Sequence, residues 1–147
     1  MSASSETPGR TDVLLVAGEV SGDLHGATLA RALTALSPGL TLSGMGGPRM
    51  AAAGVRLLQG IERVSVVGGT EVLGRLPALL RALHVLRRSL REARPGVLVL
   101  IDFPEFNLRL ARRAHALRIP VVYFIAPASS RIFTTCAMVD RFWPIAT

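Results

Sequence analysis

The sequence predicts an α/β domain with a doubly wound parallel sheet of the Rossmann-like kind, and three observations indicate it. Residues 13–17 (VLLVA) and 97–101 (VLVLI) are continuous apolar runs, typical of parallel strands buried on both faces. Stretches with helical apolar spacing separate such runs. Gly, Pro and Asp stand where these segments end. With 147 residues, half of them apolar, we expect one domain at 12–147 behind a disordered tail at 1–11.

The first half of the chain is predicted to alternate strands and helices. The strand at 13–17 leads into a Gly-rich turn at 18–23. Leucines at helical spacing predict a helix from about 24 to 36, and Ser37-Pro38-Gly39 ends it. The remaining elements are a strand at 40–43, a loop at 44–48, a short helix opened by Pro48, and a strand that includes Leu57 and Leu58.

The longest helix is expected between Pro77 and Ala93. One apolar side is formed there by Leu76, Leu79, Leu83, Leu86 and Leu90. The other side or the C-terminal end, where the helix dipole favours positive charge, carries Arg81, Arg87, Arg88, Arg91 and Arg94. Beyond it we expect a strand at 97–101, a helix at 105–117 and a last strand at 121–125.

The charge balance favours an anionic partner. All 17 basic residues are arginine, against 10 acids, which gives a net charge of +7. Such an excess suits an anionic membrane surface, a phosphate-bearing substrate or nucleic acid. Nucleic acid is the weakest of the three and we expect none, because only 5% of the residues are aromatic and no nucleic-acid-binding motif is present.

The cysteine and histidine content indicates neither a disulfide nor a metal centre. Cys136 is the single cysteine, and His25, His84 and His115 form no ligand pattern. His84 and His115 are expected on helix surfaces, whereas His25 lies beside the first loop. We expect no cofactor. No stretch approaches the roughly 18 to 20 apolar residues of a membrane-spanning helix, so we expect a cytoplasmic location.

Two loops are candidates for a ligand site, because ligands bind at the carboxyl ends of parallel strands. The first loop contains Glu19, Ser21 and Asp23, and its glycines do not have the spacing of a dinucleotide-binding loop. Asp23 is also suited to cap the helix that follows it. The second loop contains Asp102, which is equally suited to cap a helix or to act as a general base. Asn107 lies close enough to orient Asp102 or a substrate hydroxyl.

Four segments together resemble the N-terminal half of the lipid-A-disaccharide synthases, which are bacterial membrane-associated glycosyltransferases. They occur in that family's order and at its spacing, and they cover about residues 12 to 127. They are VAGEVSGDLHGA (16–27), GMGGPRMAAAG (44–54), VVGGTEVLGRLPALLR (66–81) and IDFPEFNLRL (101–110).

The resemblance implies half of a two-domain GT-B glycosyltransferase. Such enzymes transfer 2,3-diacylglucosamine from UDP-2,3-diacylglucosamine to 2,3-diacylglucosamine 1-phosphate, forming a β-1,6 link with inversion and releasing UDP. The family's proposed general base matches Asp102, which moves the interpretation of that residue towards catalysis. By the same resemblance Glu19, Ser21, Gly22 and Asp23 would line the acceptor side, with Gly68 and Glu71 nearby. Asn107, from its position after Asp102, is the remaining candidate for substrate binding.

The chain departs from the family in two places. Around residues 126–131 it lacks the family's Trp-Ala-Trp-Arg element, and at Thr147 it ends where the family enters its donor-binding domain. We therefore expect a missing C-terminal domain or a split partner, and an inactive chain by itself. We expect the protein to be peripheral, bound to the anionic surface of the bacterial inner membrane on its cytoplasmic face. The alternatives are a non-catalytic remnant that binds acylated glucosamine phosphate or a partner protein, and an unrelated nucleotide-binding domain.

Overall fold

The computed structural model describes residues 12–63 and 72–124, which fold around a five-stranded parallel sheet in the order β3-β2-β1-β4-β5. The predicted Rossmann-like α/β architecture is confirmed. The strands are β1 (Val13–Ala17), β2 (Leu42–Gly46), β3 (Arg56–Gly60), β4 (Val97–Ile101) and β5 (Val121–Phe124). The α-helices are α1 (Val20–Leu36), α2 (Pro48–Ala52), α3 (Val72–Glu92) and α4 (Pro104–Ala116), and a 3-10 turn covers Ile61–Arg63.

The central strand β1 is completely buried because helices cover both faces of the sheet. On one face, Leu14 and Val16 of β1 belong to a core that includes leucines of α3 and α4. On the other face, Leu15 and Ala17 pack with residues of α1 and α2. Side chains that alternate between two covered faces explain why VLLVA has no polar residue.

The strand order turns around at β1, and this determines where the two predicted loops lie. β2 and β4 flank β1, with Ala17 paired to Ile101 at the carboxyl ends of β1 and β4. The chain leaves β1 towards α1 on one face and leaves β4 towards α4 on the other. The loops after residues 17 and 101 therefore meet at the switch point of the sheet, where such folds bind ligands.

Helix α1 begins at Val20, four residues before the predicted start, so the Gly-rich segment is largely helical. Gly22 lies in its first turn, where an added Cβ would be 3.1 Å from the Cβ of Ala17. At Gly26 an added Cβ would be 2.6 Å from the Sδ of Met50. Glycine here permits close packing of α1 on β1 and α2, which outweighs its low helix propensity.

Strand β2 includes Gly44, Met45 and Gly46, which the sequence pattern had assigned to a loop. An added Cβ on Gly44, whose φ is 156°, would be 1.7 Å from the carbonyl oxygen of Leu15. The glycine is therefore required by the close approach of β2 to β1, not by a turn. The pairing of β2 with β3 shifts register between Gly44 and Met45.

Helix α3 begins at Val72, before the predicted boundary, and Pro77 lies inside it. Leu83, Leu86 and Leu90 are buried as predicted, whereas Leu76 is 51% exposed. Pro77 is the sixth residue of α3, beyond the first four N–H groups that have no intrahelical partner, so it removes one hydrogen bond from the first part of the helix. The other predicted elements agree to within a few residues, and Ile125 lies outside the described part of the chain. In the described ranges no helix is both long enough and apolar enough to cross a membrane.

A candidate active site at the switch point of the sheet

The turn between β4 and α4 holds Asp102 and Phe103 in the left-handed region, at φ 52° and 53°. The backbone N–H of Phe103 donates to Oδ1 of Asp102 at 3.0 Å. Two consecutive non-glycine residues in this region cost of the order of 1–3 kcal/mol each, and such strain is concentrated at functional sites. Phe103 occupies the N-cap position of α4, and Asp102 precedes it. Asp102 is therefore not the cap of this helix, contrary to one of the two interpretations of its sequence.

Two side chains donate hydrogen bonds to the backbone carbonyl of Asp102. The phenol of Tyr123, on β5, donates at 2.9 Å, and the Nδ2 group of Asn107, on α4, donates to the same oxygen. Asn107 Nδ2 also donates to the carbonyl of Ile101 at 3.4 Å. Residues from β5 and α4 thus fix the backbone at Asp102, directly after the carboxyl end of β4.

Asn107 is completely buried, and its Oδ1 atom has no hydrogen-bond partner among the described residues. A buried amide oxygen without a donor partner is costly, since an unsatisfied buried polar atom destabilises the folded state by about 1–3 kcal/mol. The amide is retained because its nitrogen binds two carbonyl groups of the turn. Asn107 therefore acts on the position of Asp102 through the backbone.

Burial raises the pKa of Tyr123 above its ordinary value, and the negative charge of Asp102 raises that pKa further. A hydrogen bond from the side chain of Asn107 opposes both effects by stabilising the phenolate. The phenol therefore remains a hydrogen-bond donor to Asp102 across the physiological pH range. Tyr123 was not identified from the sequence, because the strand order that brings β5 beside β4 could not be inferred from it.

The first loop lies against the second through Gly18. An added Cβ on Gly18 would be 2.4 Å from Cδ1 of Phe103, whose ring stacks on Phe106 with 5.3 Å between ring centroids. Glu19 and Ser21 follow Gly18 at the start of α1 and are exposed at the same edge of the sheet. The structure thus brings these two predicted site residues to the same edge as Asp102.

Asp23 is buried, and its carboxylate accepts three backbone N–H groups at the start of α2. Gly47 and Met50 donate to Oδ1 at 2.8 and 3.0 Å, and Arg49 donates to Oδ2 at 3.1 Å. The predicted capping role is therefore correct in kind but wrong in its helix. Glu19 is the N-cap of α1, whereas Asp23 lies inside α1 and supports the beginning of α2. Its contact with substrate stays a prediction.

The remaining predicted residues fall into two groups. Gly22 is buried in the first turn of α1, and His25, His84 and His115 are exposed on helices, as expected for the last two. Gly68 and Glu71 lie outside the described residues, as do Cys136 and the segment at 126–131. Within 12–63 and 72–124, no three His, Cys, Asp or Glu side chains are placed to hold a metal ion together.

Comparisons with known proteins give a consistent result. Residues 13–129 match the family model described as lipid-A-disaccharide synthetase. A lipid-A-disaccharide synthase of Myxococcus xanthus is 48% identical over 134 residues, which are 88% of this chain and 35% of the relative. The one from Anaeromyxobacter dehalogenans (strain 2CP-C) is 49% identical over 122 residues, 82% of this chain and 32% of the relative. The chain thus spans about a third of the length of the curated relatives it matches.

Proposed function

Because the chain belongs to the lipid-A-disaccharide synthetase family, we propose that it forms the acceptor-binding part of a lipid-A-disaccharide synthase and carries the general base. The proposed reaction joins 2,3-diacylglucosamine, delivered on UDP, to 2,3-diacylglucosamine 1-phosphate through a β-1,6 link. Most contacts to the UDP sugar would then come from the part of the relatives that this chain does not cover, supplied by a C-terminal domain or a split partner.

Asp102 is the proposed base. The acceptor 6-hydroxyl oxygen forms a bond to the anomeric carbon of the donor sugar, while the bond from that carbon to the UDP oxygen breaks. The hydroxyl proton passes to the Asp102 carboxylate, and the electron pair of the broken bond leaves with UDP. Inversion requires one base on the acceptor side, since no covalent sugar intermediate is formed. The observation that supports this role most directly is the strained turn that contains Asp102, which follows the carboxyl end of β4 at the switch point of the sheet.

The other site residues have different proposed roles. Glu19 and Ser21 are exposed polar groups beside the turn and are suited to bind acceptor hydroxyl or amide groups. Gly22 lets α1 lie close to the sheet, and Asp23 would act on the acceptor mainly by holding the loop before α2. Asn107 positions Asp102. Gly68 and Glu71 remain proposed neighbours of the acceptor from the family motif alone.

We extend the proposal to attachment at an anionic membrane surface on the cytoplasmic side, where the acylated substrates are located. The exposed fractions of Leu76, Leu80 and Leu108 are 51%, 52% and 44%. Leu76 and Leu80 are one turn apart on α3, so they lie on the same side of that helix. Apolar side chains next to arginines are suited to a membrane interface. Failure of the chain to sediment with phosphatidylglycerol vesicles at low salt would contradict this part of the proposal.

A chimera tests the role of Asp102. Residues 13–129 of this chain replace the matching segment of the Myxococcus xanthus relative, and disaccharide formation is measured by mass spectrometry. We expect Asp102→Asn to reduce kcat by roughly 10²–10⁴, the usual contribution of a general base. Glu105→Gln, three residues away and exposed at the start of α4, is the matched control and should retain near-normal turnover. An Asp102→Asn chimera that folds and keeps more than a tenth of the kcat would contradict the assignment.

A further inference from the structure

A cationic groove lies between α3 and α4 on the outer side of the domain. Its volume is about 560 Å³, within the range of roughly 300–1,000 Å³ typical of small-ligand sites. Six arginines, one histidine and one alanine line it: His84, Arg87, Arg88, Arg91, Arg109, Arg112, Arg113 and Ala116. None of these residues belongs to the site around Asp102, and the proposed glycosyl transfer does not use them.

The positive charge of the groove is almost uncompensated. Among the described residues, the ion pair made by a groove arginine is that of Arg88 with Glu92, at 2.8 Å. Both of these side chains are more than half exposed, so this pair is weak. None of the described residues that line the groove is acidic. Guanidinium groups that face one another across a groove repel, and a bound anion would relieve that repulsion.

Helix dipoles do not account for this cluster. Positive charge stabilises the last turn of a helix, and the effect fades beyond that turn. Arg91 and Arg113 lie in the last turns of α3 and α4. Arg87 and Arg109 lie further from the C-terminal ends, yet they line the same groove. The two helices therefore place arginines together over a longer stretch than their ends require.

We propose that this groove is a binding site for phosphate groups, carried either by a soluble diphosphate-type anion or by a phospholipid headgroup. Arginine presents planar N–H pairs that match phosphate oxygens in a bidentate manner, and several such forks converge here from two helices. α3 and α4 run from the carboxyl edge of the sheet towards its amino edge. The groove lies along their middle and C-terminal parts, so its ligand does not occupy the Asp102 site.

The test compares two double variants that remove the same charge from the 147-residue chain. Arg109→Gln with Arg112→Gln alters the groove. Arg31→Gln with Arg56→Gln alters exposed arginines on α1 and β3, away from it. Far-UV circular dichroism and thermal unfolding establish that both variants fold. Affinity for inorganic pyrophosphate is measured by calorimetry at low salt, and sedimentation with phosphatidylglycerol vesicles is measured against phosphatidylcholine vesicles.

We expect the groove variant to weaken binding at least tenfold, because charge-assisted contacts are lost, and the control variant to change it less than twofold. Loss of pyrophosphate binding assigns the groove to a soluble anion, whereas loss confined to the vesicles assigns it to a headgroup. The proposal is overturned if neither probe binds, or if both variants weaken binding equally.

Discussion

Replacing Asp23 should destabilise the domain more than any exposed substitution, because its buried carboxylate holds the start of α2. Asp23→Ala removes the acceptor of three backbone N–H groups, those of Gly47, Arg49 and Met50. The bonds from Gly47 and Met50 are buried, so water cannot easily replace the lost oxygen. α2 has five residues and is too short to be stable without such support.

The expected loss in the free energy of unfolding follows from these contacts. Each buried donor without a partner costs about 1–3 kcal/mol, and the part-buried N–H of Arg49 costs less. Asp23→Ala should therefore cost about 3–5 kcal/mol, a large part of the roughly 5–15 kcal/mol typical of a domain. Asp23→Asn keeps one carbonyl oxygen, which can still accept from Gly47 and Met50, and should cost about 1–2 kcal/mol.

Urea unfolding followed by far-UV circular dichroism measures both values, with exposed Glu62→Ala as a control expected to change stability by about 0.5 kcal/mol or less. The order wild type, Asp23→Asn, Asp23→Ala is the essential result. If Asp23→Ala lies within about 1 kcal/mol of wild type, the structural role is wrong. If such a stable variant also abolished turnover in the chimera, Asp23 would be assigned to the substrate instead.

Two further predictions concern the turn at Asp102. Tyr123 is the single tyrosine, so its ionisation can be followed by absorbance, and its midpoint should lie above the ordinary value of about 10. Asp102→Asn should lower this midpoint by removing the nearby charge, and an unchanged midpoint would contradict that cause. Because folding raises the pKa of Tyr123, the neutral phenol stabilises the folded state. This stabilisation is complete below the pKa that Tyr123 has in the unfolded chain, and it is lost as the pH rises through the higher pKa of the folded state. Gly18→Ala should cost about 1–3 kcal/mol in urea unfolding, because the new methyl group would overlap the Phe103 ring. In a chain that already carries Phe103→Gly, the Gly18→Ala substitution should cost much less, because the ring is absent. If the cost of Gly18→Ala is the same in that chain, the overlap with the ring is not its source.

Local sequence patterns predicted β1 and β4 well, because burial on both faces of the sheet produces continuous apolar runs. Val13–Ala17 and Val97–Ile101 agree with the predicted strands residue for residue. Helix boundaries were less predictable where packing rather than propensity determines the residue type. Gly22 and Gly26 suggest a turn, yet they lie in a helix that approaches its neighbours too closely for a side chain.

Site residues could be predicted from the sequence only where they lie close to one another along the chain. Asp102 follows a recognisable strand, and Asn107 lies one turn along the next helix. The partners of Asp23 are 24 to 27 residues away, and Tyr123 is 21 residues from Asp102. Such contacts depend on the strand order and register, which apolar periodicity does not encode.

The turn at Asp102 and Phe103 determines at which stage the conformational entropy of this loop is lost. Tyr123 and Asn107 hold the Asp102 carbonyl without any ligand, and the Phe103 N–H donates to Oδ1 of Asp102, so this turn is ordered as soon as the domain folds. The entropy of fixing this loop is therefore lost during folding and does not reduce the affinity for a ligand that arrives later. A ligand that binds here meets a turn whose backbone is already fixed.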